Sequence, residues 1–234
     1  MNFSIVFAVL NEEKNIRPLI TSIKKTLKDI KYELIFVDDS SSDNTAREIK
    51  KMSKKNIKYY LRKNKKDIVQ SIIMGIQKSK YNNIITMDSD LQHNPKYLPI
   101  MIKKYQNNRA DFVVGVRNFE EDKGLSKIRL MGSKTLCFIY NFFLGYKVSD
   151  PMTGFSIFKK KIFTKYHSKL YGKGWKLLAD LIYNKENFKI IESKINFDKR
   201  LYHYSKINLS VLLNVIGLFL YKLYLLKIKT WLTL

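Results

Sequence analysis

Up to Gly115 the chain alternates short apolar runs with amphipathic segments, and this rhythm constrains the fold before any single residue does. Strand-like runs cover Ser4–Val9, Glu33–Val37, Ile57–Leu61, Asn83–Met87 and Asp111–Gly115. Between them, Glu13–Ile30, Asn44–Ser53, Val69–Lys80 and Pro95–Gln106 carry apolar residues at helical spacing. Such alternation builds a parallel, doubly wound sheet with helices on both faces. Sheets of this kind bind ligands beyond the carboxyl ends of their strands. Asn11-Glu12, Asp38-Asp39 and Asp88-Ser89-Asp90 each follow a strand end, so three polar clusters fall on one rim.

Beyond Gly115 the spacing predicts a helix over Ser126–Leu144, with Arg129, Ser133 and Lys134 on its first turns. A turn, Ser149–Gly154, leads into a strand at Phe155–Phe158. A helix at about Trp175–Asn184 and a last strand at Lys189–Phe197 follow, then a polar segment with Arg200, His203, Ser205 and Lys206. No repeat or Pro/Ser/Gly-rich linker interrupts the chain, so residues 1–206 read as one domain. The start, MNFSIVFAVLNEE, reads as a first strand rather than a signal peptide. Residues 207–234 form an apolar helical tail interrupted by Lys222. A spanning helix needs about 20 apolar residues. The tail therefore reads as an interfacial membrane helix, a marginal span, or a helix docked on a partner or on the domain.

The net charge of +24 calls for an anionic partner: nucleic acid, an anionic membrane surface or a phosphorylated substrate. The densest basic stretch, Lys50–Lys66, holds only Tyr59 and Tyr60 as aromatics, unlike a groove that stacks bases. No nucleic-acid recognition motif accompanies it, and no nucleic-acid partner is expected. The single cysteine, Cys137, excludes an internal disulfide and reads as a small core residue.

Asp88 and Asp90 stand one residue apart where an apolar run ends, with Gln92 and His93 behind. Residues i and i+2 of a strand share a side, so the two carboxylates can converge. Hard oxygen ligands at a strand end suit Mg²⁺ or Mn²⁺ bridging a diphosphate.

The segments VFAVLNEEKNI, ELIFVDDSSSDNT, IITMDSDLQHNP, DFVVGVRN, DPMTGFSIF and INFDKRLYHYSK, in this order, resemble family 2 glycosyltransferases of the GT-A fold, and among them the polyprenyl-phosphate sugar transferases typified by dolichyl-phosphate mannose synthase. The resemblance runs from about Phe3 to Lys206. It implies a Rossmann-like, mostly parallel sheet flanked by helices. It also implies a nucleotide-sugar site made by Ala8, Leu10, Glu12, Val37, Asp39, Asp88, Ser89, Asp90, Arg117, Arg200 and Lys206. Asp90 and Gln92 would hold the metal, and Asp88, Asp90 and Arg117 would be the catalytic set. Arg129, Ser133, Arg200 and Lys206 would surround the acceptor phosphate. Ala8 and Leu10 replace the family's usual Pro and Tyr, and His203 replaces a glycine. Asp39 also reads as a helix N-terminal acid, Arg117 as a surface charge, and His93 as a packing residue or an outer donor.

The implied reaction is inverting transfer of a sugar, mannose from GDP-mannose foremost, onto a polyprenyl or dolichyl monophosphate. It would take place at the cytoplasmic face of a membrane, with room for a small membrane-anchoring subunit. The alternative acceptor is a saccharide hydroxyl of a lipid-linked or cell-surface glycan, with Asp180 as base. No Q-x-x-R-W stretch is present, which argues against a processive polysaccharide synthase.

Overall fold

A computed structural model gives the structure of the protein and describes residues 1–118, 127–174, 176–184, 186–198 and 209–231. Its strands are β1 (Phe3–Val9), β2 (Tyr32–Asp38), β3 (Ile57–Leu61), β4 (Asn83–Thr86), β5 (Phe112–Arg117), β6 (Ser156–Lys159) and β7 (Ile190–Ile195). They form one seven-stranded sheet in the order β3-β2-β1-β4-β6-β5-β7. The pairings are parallel except those of β6, which runs antiparallel to both β4 and β5. Strands β4 and β5 are therefore parallel to each other, and their carboxyl ends share an edge with those of β1 and β2. The chain enters β6 at that same edge, between β4 and β5.

Both faces of the sheet are covered, which is why its central strands are apolar on both sides. Helices α1 (Glu13–Thr26), α2 (Thr45–Lys51) and α4 (Leu98–Asn108) pack on Ile5, Phe7, Leu34 and Phe36. Helices α3 (Ile68–Gln77), α5 (Lys127–Leu144), α6 (Lys160–Tyr166), α7 (Leu177–Ile182) and α8 (Leu209–Trp231) cover the face carrying Val6, Ile35 and Val37. Helix α3 lies so close to β1 that a Cβ at Gly75 would collide with Val6 Cγ1.

The expected elements are present with shifted ends. The helix expected from Pro95 begins as a 3₁₀ turn, Pro95–Tyr97, and continues as α4. Pro99 has no N–H to give the Pro95 carbonyl, so the regular α ladder starts only past it. Helix α6 follows β6 without a connecting loop and had no counterpart in the sequence reading.

The apolar tail is helical and docked on the domain. Tyr140 of α5 donates its hydroxyl to the Val215 carbonyl at 2.6 Å, and the Phe143 and Phe219 rings meet edge to face at 5.9 Å. Lys222 is wholly buried, 2.8 Å from Asp180 of α7. Among the described residues no helix is long and apolar enough to cross a membrane. Its outer side still exposes Leu213, Ile216, Leu220 and Tyr224.

Glu33 shows how the sheet edge opposite the polar rim is tied. Its buried carboxylate accepts from Ser4 Oγ and the Lys80 backbone N–H, each at 2.6 Å, and pairs with Lys58 at 2.8 Å. Burial raises its proton affinity, but the Lys58, Ser4 and Lys80 contacts outweigh this and hold it below the usual range. The lowered carboxyl stabilises the fold above its unfolded pKa of about 4.3, and that contribution is lost as the pH falls through the folded value. Glu33→Gln should therefore cost about 1–3 kcal/mol at pH 7. In urea titrations the gap between parent and variant should close below about pH 4.

Candidate active site

The rim is built by three loops that bind one another. After β1, the Asn11 N–H bonds Ser41 Oγ at 2.9 Å and the Glu12 N–H bonds Thr45 Oγ1 at 2.7 Å, tying the first loop to the second. The Glu12 carboxylate accepts from Asn15 Nδ2 at 2.6 Å. After β2, Asp38 Oδ1 accepts from the Ser41 N–H and Oγ, and its Oδ2 accepts from Tyr59 at 3.0 Å. Asn11, Ser40 and Leu91, one in each loop, all have left-handed φ values, of 53°, 63° and 65°. Outside glycine that conformation is uncommon and costly, so the loops are held in it by their mutual bonds.

Asp39 is buried, and its carboxylate already has partners: Arg62 Nη2 at 2.5 Å on one oxygen and the Asp67 N–H at 2.6 Å on the other. Burial pushes its pKa up, with Arg62 opposing. The carboxylate thus pins β2 to the loop before α3. Asp67 continues the chain of contacts, capping α3 through the Gln70 N–H and accepting from the Gly174 N–H at 2.8 Å. Neither Arg62 nor Asp67 had a role in the sequence reading. Val37 directs its side chain wholly into the core, which leaves a nucleotide only its backbone. Ala8 and Leu10 are half-buried at the rim, and the Ala8 carbonyl accepts from Ser89 Oγ at 3.5 Å.

At the end of β4 the side chain of Asp88 is about half exposed (48%), while Ser89, Asp90, Gln92 and His93 are buried. Asp90 Oδ1 accepts from the Gln92 N–H at 3.1 Å. Gln92 gives its amide nitrogen to the Asp198 carbonyl at 3.4 Å, which turns its amide oxygen the other way. His93 Nδ1 accepts from the Asp88 N–H at 3.1 Å, and its ring sits between Phe155 and Phe197. Burial lowers its pKa, against the pull of Asp88, so His93 is a neutral packing residue. Among the described residues no group of three or more His, Cys, Asp or Glu side chains forms a ready-made metal cage. A set of one or two carboxylates with an amide oxygen is instead the donor set of a Mg²⁺-type ion completed by substrate phosphates. Asp90 and Gln92, the pair expected to hold the metal, are oxygen donors of that kind, with the Asp88 carboxylate beside them. Gly154 leaves room for the Asp88 carboxylate, because a Cβ there would stand 2.7 Å from Asp88 Oδ1.

Arg117, at the end of β5, is nine-tenths buried and locked by a fork. Its Nε and Nη2 donate to the two oxygens of Asp150 at 2.6 and 3.0 Å, and Nη2 also donates to Ser133 Oγ at 2.6 Å. Burial alone would raise the Asp150 carboxyl; the charge and hydrogen bonds of Arg117 reverse this and hold it below the usual range. Lys176, which the sequence reading missed, bonds the Met152 carbonyl in the same loop. Burial and Arg117 push its pKa down, while Asp88 and Asp150 oppose, so its ammonium lies within the field of both halves of the site. The structure thus brings together Ala8, Leu10, Glu12, Asp88, Ser89, Asp90, Gln92, Arg117 and Ser133 along one rim. Arg200 and Lys206 lie outside the described residues, and Arg129 is described only as backbone of α5.

Against this geometry, the profile of Glycosyl transferase family 2 matches residues 4–166, most of the chain. The chain belongs to glycosyl transferase family 2. A Dolichol-phosphate mannosyltransferase of Pyrococcus furiosus is 26% identical over 205 residues, covering 86% of this chain and 57% of that protein. The chain thus spans little more than half the length of that relative. A Dolichol-phosphate mannosyltransferase of Saccharomyces cerevisiae is 25% identical, covering 78% of this chain and 70% of that one. The fold matches glucosyl-3-phosphoglycerate synthase from Mycobacterium tuberculosis, solved with Mn²⁺, UDP-glucose and phosphoglyceric acid, at a TM-score of 0.72. That match has 15% identity and covers 95% of this chain and 79% of that one. The glycosyltransferase therefore has a GT-A-like α/β fold and resembles the dolichol-phosphate mannosyltransferases in sequence.

The close approach at Gly154 yields a direct test. Gly154→Ala should leave the far-ultraviolet circular dichroism of the enzyme unchanged while displacing the Asp88 carboxylate. Sugar-nucleotide turnover should fall by about tenfold or more, as misplacement of a site by an ångström does.

Proposed function

We propose that this glycosyltransferase moves a sugar from a nucleotide-sugar to a polyprenyl monophosphate, with inversion at the anomeric carbon. The observation that carries this reading is the condition of Asp180. An acceptor hydroxyl needs a base to take its proton, and Asp180 is the acid positioned for that task in the alternative, saccharide-directed reading. Here it is 2% exposed, paired with the buried Lys222 at 2.8 Å, and its other oxygen accepts from the Gly172 N–H at 2.9 Å. Such a carboxylate is a structural counter-ion. An acceptor phosphate monoester already carries about −1.5 to −2 charge at pH 7 and needs no base.

Catalysis then consists of positioning and charge management. The attacking phosphate oxygen forms the new bond to the anomeric carbon as the bond to the nucleoside diphosphate breaks, and the electron pair leaves with the diphosphate. Asp90 and Gln92 would hold Mg²⁺ or Mn²⁺, which would supply charge neutralisation to the leaving diphosphate, with Asp88 at the sugar nucleotide. Arg117, fixed by Asp150, would place a permanent positive charge beside the diphosphate. Ser133 stands on the acceptor side of Arg117, with Arg129, Arg200 and Lys206 assigned to the acceptor phosphate from the family pattern.

Likeness to the two dolichol-phosphate mannosyltransferases favours mannose as the sugar and a dolichyl-type lipid phosphate as acceptor, with GDP-mannose as the proposed donor. The exposed Phe138, Phe142 and Phe143 of α5 and Leu213 and Leu220 of α8, on a chain of net charge +24, favour work at the cytoplasmic surface of an anionic membrane.

The test is transfer of radiolabelled sugar from GDP- and UDP-sugars into polyprenyl phosphate with Mg²⁺ or Mn²⁺. Label should enter a lipid-phosphate product, disappear with EDTA, and fall by about 100-fold in Asp90→Ala or Arg117→Ala. Lys222→Met alone should destabilise the fold by about 3–5 kcal/mol, because it strands a buried carboxylate. The neutral pair Asp180→Asn/Lys222→Met should recover stability and keep transfer. Transfer to a saccharide hydroxyl, abolished in that pair, would instead establish the saccharide-directed reading.

A further inference from the structure

The segment 170–174, between α6 and α7, has no regular structure of its own and spends its polar backbone on two neighbours. Toward α3, the Gly172 carbonyl accepts from Gln70 Nε2 at 2.5 Å and the Gly174 carbonyl accepts from the Val69 N–H at 3.1 Å. The Gly174 N–H donates to Asp67 Oδ2 at 2.8 Å. Toward the tail, the Gly172 N–H reaches Asp180, whose other oxygen meets Lys222 of α8. Gly172 and Gly174 hold left-handed φ values of 65° and 85°, which glycine adopts without steric cost. The segment is a strap stretched between α3 and α8.

Helix α8 lies directly on it. A Cβ at Gly174 would stand 2.8 Å from Asn214 Cβ, and a Cβ at Gly217 would collide with the Tyr171 hydroxyl. The Tyr171 and Tyr221 rings are 5.7 Å apart, and Tyr221 donates its hydroxyl to the Lys169 carbonyl at 3.2 Å. Release of α8 would therefore strip the support from one whole side of the strap.

The opposite side leads to the rim. The Asp67 carboxylate that accepts from Gly174 also caps α3, and the Asp67 N–H holds Asp39 at 2.6 Å. Two residues beyond Gly174, Lys176 holds the loop before β6 through the Met152 carbonyl. The strap thus joins α8 both to the loop expected to hold the nucleotide and to the loop beside Asp88.

We propose that α8 is a positioning element of the transfer site. Its docking on the strap keeps Asp67 and Lys176 in place, and nucleotide binding in turn tightens the docking. The two states are α8 seated on the strap and α8 released, and linkage makes the effect reciprocal. This rests on the nucleotide-sugar reading of the rim and adds to it a control exerted by the tail.

The test is amide hydrogen exchange of the full chain with and without GDP–Mn²⁺ and UDP–Mn²⁺, together with calorimetric nucleotide affinity. The nucleotide that binds should slow exchange in α8 by about tenfold more than in α4, which packs on the opposite face of the sheet. Gly217→Val, which forces α8 off Tyr171 without touching the rim, should speed exchange in α8 and weaken the nucleotide by about tenfold. Leu220→Gln, on the exposed side of the same helix, should change neither. Equal slowing in α8 and α4 would mean global stabilisation and would overturn the coupling. Release of α8 by Gly217→Val with nucleotide affinity unchanged would overturn it as well. If Gly217→Val does not fold, exchange in the parent chain decides alone. Binding of neither nucleotide would overturn the nucleotide-sugar reading itself, and the coupling with it.

Discussion

The buried pair between Arg117 and Asp150 is the constraint on which the site depends. Strand β6 runs against its neighbours, so the loop that feeds it must come up between β4 and β5 at the polar rim. A loop in that place has few backbone partners of its own. The two-pronged bond from Arg117 to both Asp150 oxygens fixes it, and Lys176 holds its next turn through the Met152 carbonyl. Once the loop is fixed, Gly154 stands beside Asp88, and the acidic and basic halves of the rim have a defined separation. Asp150 absorbs much of the charge of Arg117. In the proposed reaction an arriving diphosphate would meet a guanidinium already aimed and already desolvated, and aiming is what an electrostatic catalyst needs.

The tail helix α8 follows a different logic. Lysine in the middle of an apolar helix looks like an interruption, and in sequence Lys222 reads as a break within a membrane-seeking run. In the fold it is the residue that orients the helix. Burying an ammonium costs several kcal/mol unless it meets an opposite charge in good geometry. Asp180 meets it, and only one rotation of α8 about its axis allows that contact. The pair contributes specificity of docking more than net stability. It also commits Asp180 to structure, and a catalyst with its acid so committed is suited to an acceptor that arrives ionised.

The positions of the rim residues were legible because they follow from the ends of periodic elements. Asp88 and Asp90 come at the end of an apolar run, and Arg117 comes just past another. What stayed hidden depends on partners distant in sequence. Arg62 is the counter-ion of Asp39 across 23 residues, Lys222 meets Asp180 across 42, and no local pattern marks either pairing. The Asp39 carboxylate, expected at the nucleotide from family position, is also a buried pin in the fold. Helix α6 escaped notice because its sequence, KKIFTKY, is too short to show a helical period. The reading of the tail failed to choose among three outcomes for a related reason: an apolar helix has the same composition whether it faces lipid or its own domain.

The three left-handed residues show what the rim asks of the backbone. Asn11 suits the conformation, since its side chain bonds the Ser42 N–H and so replaces a backbone partner. Ser40 is held by a bond from its hydroxyl to the Arg62 carbonyl at 2.8 Å. Leu91 has no such polar device, and a branched side chain at φ 65° costs about 1–2 kcal/mol in local conformation. Its position explains why glycine does not replace it. Leu91 packs on the apolar cluster beneath α1 and α4 while its backbone turns Asp90 and Gln92 toward the rim. A glycine there would relieve the strain and surrender the packing that keeps the turn in one conformation. The strain is therefore the local cost of holding Asp90 and Gln92 in register, and it lies in the loop where, in the proposed reaction, looseness would most disturb the charge on a leaving diphosphate.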